Sequence, residues 1–391
     1  MTIGNGTPQY VSIETQIRTV EYYIDGFEEG SKYSVMRLQF PELDYFIPSV
    51  GRISSQDKII IVSREKGVIS SFSFKYHDTD VTISFIAKMT GHACVKATIE
   101  TVSEIELFFP ETNDLGYIKG LYDTVRSFFV FICNRQNIGL RSAELLGQYP
   151  AKAIQDHKVI ETNKHTRQKM YFSQKYLEPK ERKKQVAKTP NLNLFLEKLP
   201  ELFCLFCEEN VGGMATVYGN SMHHSIKYRN LIDLEQSLHI TATFEYYVRT
   251  ILPEMSSQST LEFINDLGAL LDEYIEKNTG KKKKKAQSYR KALSPQISLE
   301  SKVLKTYNGY DTWPALKPIL AEWFGDDISA IASEANKWRN ELAHEKREYQ
   351  PNENVVNAIR LVEHINYCIV LRKAGYDDER IRNIIMETLA R

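Results

Sequence analysis

Cysteine is scarce in this sequence: 391 residues hold five, Cys94, Cys133, Cys204, Cys207 and Cys368. An odd count with a single C-x-x-C spacing builds neither a disulfide framework nor a four-ligand zinc site, and it fits a reducing compartment. Long apolar runs are missing too. The longest, Ser127 to Cys133, falls far short of the ~20 residues that cross a bilayer, and the opening MTIGNGTPQYVSIET lacks the basic segment and apolar stretch of a secretory signal. Neither sign of charge is in excess, with 50 Lys plus Arg against 50 Asp plus Glu. No global field marks a nucleic-acid or membrane binder, so any basic surface must be local. The expectation is a soluble cytoplasmic protein with no membrane partner.

What is present is ordinary globular composition, 42% hydrophobic and 26% charged, in a chain long enough for two domains of roughly 100–200 residues. From Tyr10 to about Phe109 the pattern is strand-like. Val81, Ile83 and Phe85 alternate with Thr82 and Ser84, and Val95, Ala97 and Ile99 with Lys96, Thr98 and Glu100. Leu121, Val125, Phe128, Phe129 and Ile132 then recur at helical spacing, before strands resume near 138–146. This predicts a β-rich, sandwich-like domain with one helix packed on it. The polar stretch QKYLEPKERKKQVAKTP at 174–190 reads as an exposed loop, placing a boundary near Pro190. The expected fold class is therefore α+β, with a β-rich domain over 1–190 and an all-α bundle over 191–391. Helices are expected at about 192–209, 225–252, 259–277, 315–323, 327–346, 352–374 and 377–390. Asp326 or Asp327 and Asp377 or Asp378 are suited to cap two of them, and Gly280 to stop a third.

Within 327–346, Ile328, Ile331, Ala335, Trp338 and Leu342 form one core stripe. Arg339 lies beside it, Asn340 and His344 share another face, and the small residues Ala332, Asn336 and Ala343 leave a shallow notch between them. On the helix at 225–252, Leu231, Leu234, Leu238, Thr241, Val248 and Leu252 trace a second stripe, and Glu245 falls on the same line. A carboxylate there is costly to bury unless a cation pairs with it. Arg339 is the candidate partner. From spacing alone, the favoured reading is an ordinary inter-helix ion pair with His344 a solvated residue near a helix end, and spacing does not establish an enzyme.

The hexapeptide Arg339-Asn340-Glu341-Leu342-Ala343-His344, late in a helical bundle, resembles the R-x4–6-H signature of HEPN domains. TFEYYVRTIL at Thr243–Leu252 is similar to the first-helix segment of the ApeA-type branch. The strand-rich half ending in DTVRSFFVFICNRQNIGLRSAELLG resembles the domain that accompanies HEPN in ApeA-like proteins. That resemblance implies an endoribonuclease needing no metal or other cofactor. His344 would be the general acid or base, Arg339 the phosphate ligand, Asn340 an orienting residue and Glu245 the anchor of the guanidinium. It also implies RNA as substrate, with transfer RNA a candidate, a homodimer or higher homo-oligomer through the HEPN domain, and a role in anti-phage abortive infection. A phage-derived trigger would act on the N-terminal domain. Because Arg339 and His344 diverge by ~140° on a straight helix, the paired motifs of a dimer cleft are the favoured way for them to converge. The alternative is an HEPN module that binds RNA or protein without turnover.

Other signals are local. Lys281, Lys282, Lys283, Lys284 and Lys285, with Arg290, read as a solvated loop or an RNA grip beside Tyr289. Gly280-Lys281 mimics the end of a P-loop, but Ile275 and Lys282 stand where glycine and serine or threonine are required. Cys204 and Cys207 read as core packing, so no metal site is assigned. His223 and His224 read as loop residues, and His239 and His364 as makers of ordinary hydrogen bonds.

Overall fold

The structure, a computed structural model, describes residues 22–47, 53–56, 59–62, 67–93, 97–155, 158–172, 186–207, 214–224, 234–255, 258–292, 297–343 and 352–389. The 174–185 part of the expected loop, Val95, Leu231 and His344 lie outside them.

Seven strands make one antiparallel sheet in the order β1-β9-β8-β2-β7-β6-β5. They are β1 (Tyr22–Asp25), β2 (Lys32–Gln39), β5 (Gly67–Tyr76), β6 (Thr79–Ala93), β7 (Ala97–Thr112), β8 (Ser142–Gln155) and β9 (Lys158–Phe172). β3 (Ile53–Gln56) and β4 (Ile59–Val62) pair separately. The alternation read in VTISF is present: Val81, Ile83 and Phe85 are buried, in register with Phe74, Phe72 and Ser70 on β5. Long β8 and β9 pair from Gln155↔Lys158 back to Glu144↔Lys169, where the sequence reading foresaw strand only to about residue 146. The inward face is covered by helix rather than by a second large sheet. A four-residue α1 (Leu43–Phe46) and the long α2 (Leu115–Cys133) lie over it.

α2 starts where Asp114 accepts the backbone N–H of Gly116 at 2.8 Å and of Tyr117 at 3.1 Å. It ends at Asn134, whose φ of 47° is the left-handed conformation that asparagine tolerates. Leu121, Val125, Phe128, Phe129 and Ile132 are all buried. The helix is also apolar on its opposite side. Phe131 stacks on Tyr367 with ring centroids 4.4 Å apart, and Phe128 meets Phe203 at 5.2 Å. One apolar core therefore runs from the sheet through α2 into the helices that follow Pro190.

Those helices are α3 (Leu199–Cys207), α4 (Met214–Ser221), α5 (Leu234–Thr250), α6 (Gln258–Lys277), α7 (Gly280–Ala292), α8 (Leu299–Asn308), α9 (Lys317–Phe324), α10 (Ser329–Ala343), α11 (Glu353–Lys373) and α12 (Asp378–Thr388). α4, α7 and α8 were not expected. The lysine run is helical rather than a loop, because lysine is a good helix former and Ala286 gives α7 a buried contact. Gly280, at φ +63°, makes the turn between α6 and α7. Asp377 caps α12 by accepting the Arg380 N–H at 2.7 Å.

Polar contacts fix the seam between the two halves. Just after α2, Arg135 is fully buried and donates to Glu42 at 2.9 Å and to Asn137 Oδ1 at 2.9 Å. Asn134 Nδ2 donates to Glu363 of α11 at 3.1 Å, and the Gln136 and Asn137 N–H groups donate to the His223 and His224 carbonyls at 2.9 and 3.1 Å. His223, read as a loop residue, does follow α4 in irregular backbone, but it is buried with Nε2 3.6 Å from Glu363.

Candidate functional site

α10 begins where Asp327 accepts the Ser329 N–H at 2.9 Å. It packs against α5, α8 and α11. Three neighbours bury a wider arc than one stripe: Ile328, Ala332, Ala335 and Trp338 are buried, while Ile331 and Leu342 pack half-buried at the edge. Ala332, assigned by sequence to a notch with Asn336 and Ala343, is instead core, because its position ~120° from Trp338 still faces a neighbouring helix. Asn336 is half-buried.

α5 is rotated from the expected stripe. Leu234 and Leu238 are exposed, and the buried line runs through Ile240, Thr241, Phe244 and Tyr247. Glu245 consequently sits at the edge of the core with its side chain 31% exposed, and its pairing is not forced by deep burial. The pairing is present all the same. Arg339 Nη2 donates to Glu245 Oε2 at 3.3 Å and Oε1 at 3.5 Å, and Nη1 donates to Asn340 Oδ1 at 3.4 Å. A third group completes the cluster: Lys302 of α8 lies 3.8 Å from Glu245 Oε1.

Two cations thus share one carboxylate, leaving a local surplus of one positive charge. The contacts are long for charge-assisted hydrogen bonds, which settle near 2.7–2.9 Å. Glu245 therefore orients the guanidinium without saturating its five donors. With Arg339 39% exposed, an incoming anion can reach it. The arrangement is suited to hold a phosphate group. Asn340 lies on the same turn, and His344, which completes the hexapeptide, follows the last described residue of α10 by one position.

The family model for Apea-like HEPN matches residues 238–380. The chain carries an Apea-like HEPN domain. No curated protein and no solved structure matches the chain. The matched span runs from α5 to α12, so the Glu245 and Arg339 helices both belong to the HEPN domain and the sheet lies outside it. HEPN domains commonly bind RNA and dimerise, which places this half among nuclease-related or RNA-binding modules.

Lys302 was missed by sequence reasoning because α8 was. Its signal was legible: Ser298 caps the helix by accepting the Ser301 N–H at 3.2 Å, and Leu299, Val303 and Tyr307 recur at intervals of four. The predicted basic run stands apart from the Arg339 cluster. Lys281, Lys282, Lys284 and Lys285 are exposed on α7, and Lys283 is half-buried. Arg290 is engaged within the hairpin, its Nε donating to both Asp272 oxygens at 3.0 Å.

A separate polar cleft of about 380 Å³ opens beside the start of α5, lined among others by Gln136, His224, Glu235 and His239. It shares no residue with the Arg339 cluster. Among the described residues no group of three or more His, Cys, Asp or Glu is placed to hold a metal ion, and no helix is long and apolar enough to cross a membrane. His364 makes an ordinary hydrogen bond to the Arg360 carbonyl at 2.8 Å.

Proposed function

We propose that the protein is a metal-independent endoribonuclease whose HEPN domain cleaves RNA by attack of the ribose 2′-oxygen on the adjacent phosphorus. The observation that carries this reading is the guanidinium of Arg339, held loosely by Glu245 beside a second cation, Lys302, and five residues before His344 in the sequence. Arg339 binds the scissile phosphate and stabilises the charge that builds on its oxygens. His344, of a residue type that titrates near neutrality, removes the 2′-OH proton or protonates the departing 5′-oxygen. The 2′-O–P bond forms and the P–O5′ bond breaks, leaving a 2′,3′-cyclic phosphate and a 5′-OH. DNA, without the 2′-OH, is not cut.

In this reading Asn340 orients phosphate or imidazole, and the R-x4–6-H motifs of two chains meet in one cleft. Lys302 adds a second contact to the RNA backbone. The β-rich half acts as the sensor that restrains or releases the nuclease, in keeping with the resemblance to ApeA-like defence proteins. A phage-derived trigger and a transfer RNA substrate are the finer forms of the proposal.

The test is to incubate purified protein with total cellular RNA and with transfer RNA in EDTA, beside His344→Ala and Arg339→Ala. Wild type should give fragments ending in 2′,3′-cyclic phosphate, and both variants should be slower by about 100-fold or more. Equal cleavage by the His344 variant sinks the assignment. RNA that is bound yet intact supports a non-catalytic HEPN module instead.

A further inference from the structure

The polar cleft beside the start of α5 takes its lining from three segments. Gln136 comes from the turn after α2, Asn220 and His224 from the last turn of α4 and the residues after it, and Glu235, Gln236 and His239 from the start of α5. Its amides are held in place. Gln136 donates its N–H to the His223 carbonyl at 2.9 Å and its Nε2 to the Gly219 carbonyl at 2.8 Å. Gln236 Nε2 donates to the Ser221 carbonyl at 3.3 Å. Each glutamine thus spends one N–H on the backbone and keeps a second N–H and a carbonyl oxygen in a fixed plane. Buried Met222 adds an apolar patch to the lining.

The chemistry of this lining selects the ligand. Among the described residues no group of three or more His, Cys, Asp or Glu is placed to hold a metal ion. Glu235 lies 3.7 Å from His239 Nε2 and offsets its charge, so a bare anion finds no surplus to hold it. What the cleft offers is amide donors and acceptors beside two imidazoles. Amides pair with the donor–acceptor edge of a base, and imidazole stacks on its ring. A volume of about 380 Å³ lies within the range of small-molecule pockets and suits a base with its ribose. The same helix leads to the Arg339 cluster. Glu245 lies six residues beyond His239, about 9 Å along α5, a distance that two or three nucleotides span at about 3.4 Å each when stacked. Leu238, 40% exposed, and exposed Ala242 project within about 60° of Glu245 along that path.

We propose that this cleft is a nucleobase pocket: the amides of Gln136 and Gln236 pair with the edge of an unstacked base, and the imidazole of His239 lies against its ring. The base belongs to a free mononucleotide or to an RNA chain whose phosphate reaches Arg339. The second source rests on the ribonuclease reading, and the pocket itself does not.

The experiment is calorimetric titration of the full chain with the four ribonucleoside 5′-monophosphates and, as a probe without a base, ribose 5-phosphate. At least one nucleotide should bind with a Kd of about 1 mM or tighter, and ribose 5-phosphate about 10-fold more weakly or not at all. His239→Ala and Gln236→Ala should each weaken the nucleotide about 10-fold, the loss expected of one ring contact or hydrogen bond. Arg339→Ala should leave it within about twofold. The His239 side chain is 42% exposed, so its variant should keep the wild-type circular dichroism and decides the matter where Gln236→Ala folds poorly. No binding of any nucleotide at about 5 mM overturns the proposal, as does ribose 5-phosphate that binds as tightly as the nucleotides, or His239→Ala that binds like wild type. A 2′-O-methyl trinucleotide, which lacks the attacking hydroxyl, separates the two sources. For an RNA base it should bind about 10-fold tighter than the best mononucleotide and lose that gain in Arg339→Ala. Equal affinities assign the pocket to a free nucleotide and leave it standing. Absence of RNA cleavage by wild type would remove the ribonuclease reading without touching mononucleotide binding.

Discussion

Glu245 stands between Arg339 at 3.3 Å and Lys302 at 3.8 Å, and the two cations should separate in kinetics. In the proposed mechanism Arg339 contacts the phosphate as charge develops, so substitution of its anchor, Glu245→Gln, should lower kcat by about 10- to 100-fold with a smaller change in KM. Lys302→Ala should act the other way, raising KM several-fold with kcat nearly kept, because in the proposed mechanism the lysine contributes only ground-state binding of the RNA backbone. Lys302→Arg should restore KM. Steady-state cleavage of a short fluorescent RNA measures all three, and a collapse of kcat in Lys302→Ala would make the lysine part of the chemistry instead. Cys133 belongs to the same scale. Burial pushes its thiol up to about 12, so it should resist alkylation at pH 8 until the chain is unfolded, as mass mapping with and without denaturant would report.

Among the elements, α10 was the most legible. Ile328, Ala335 and Trp338 recur at helical spacing and are buried, so the periodicity of one well-formed stripe was enough. Trp338→Ala should cost about 3–5 kcal/mol in a urea titration, with its cavity left between α5, α8 and α11. The cap of α10 predicts a pH dependence. Hydrogen bonds from the Ser329 hydroxyl and N–H hold the Asp327 carboxyl below its ordinary value. Its contribution is therefore full above the unfolded carboxylate value near 3.9 and is lost as pH falls through the lower folded one. The Asp327→Asn variant should lose less melting temperature than wild type between pH 5 and pH 2.5. α5 misled because leucines at 234 and 238 continued a line that the neighbouring helices do not cover, whereas Ile240, Phe244 and Tyr247 met them. α7 was misread as loop because a lysine run has no apolar period, and what orders it is the contact of Ala286 and Arg290 with α6.

At the scale of the whole molecule, the sheet and the HEPN domain share one core through α2, and the buried Glu42–Arg135 pair locks the turn that joins them. Removing one partner of such a pair strands the other charge away from water. Glu42→Ala should therefore destabilise by about 3–5 kcal/mol in chemical denaturation. The continuous core also predicts a single cooperative transition by calorimetry, in which strands and helices melt together, and two resolved transitions would contradict it. Asn134 and His223, both within reach of Glu363, join the turn after α2 and the end of α4 to α11 by polar contacts.

Determined by the sequence alone were the order of β-rich and helical halves, the core stripe of α10, and the R-N-x-x-x-H hexapeptide, because each rests on local period or on contiguous residues. Glu245 as the partner of Arg339 was also legible, although the reason given, burial on a stripe, holds only in part. The tertiary structure decided what depends on neighbours distant in the chain. It decided that one large sheet is covered by α2, that Lys302 joins the Arg339 cluster from a helix 37 residues upstream, and that Arg290 is tied to Asp272. Period fixes which face of a helix is apolar, but only the packing of other helices selects which apolar face is buried, and so which charges are left together at its edge.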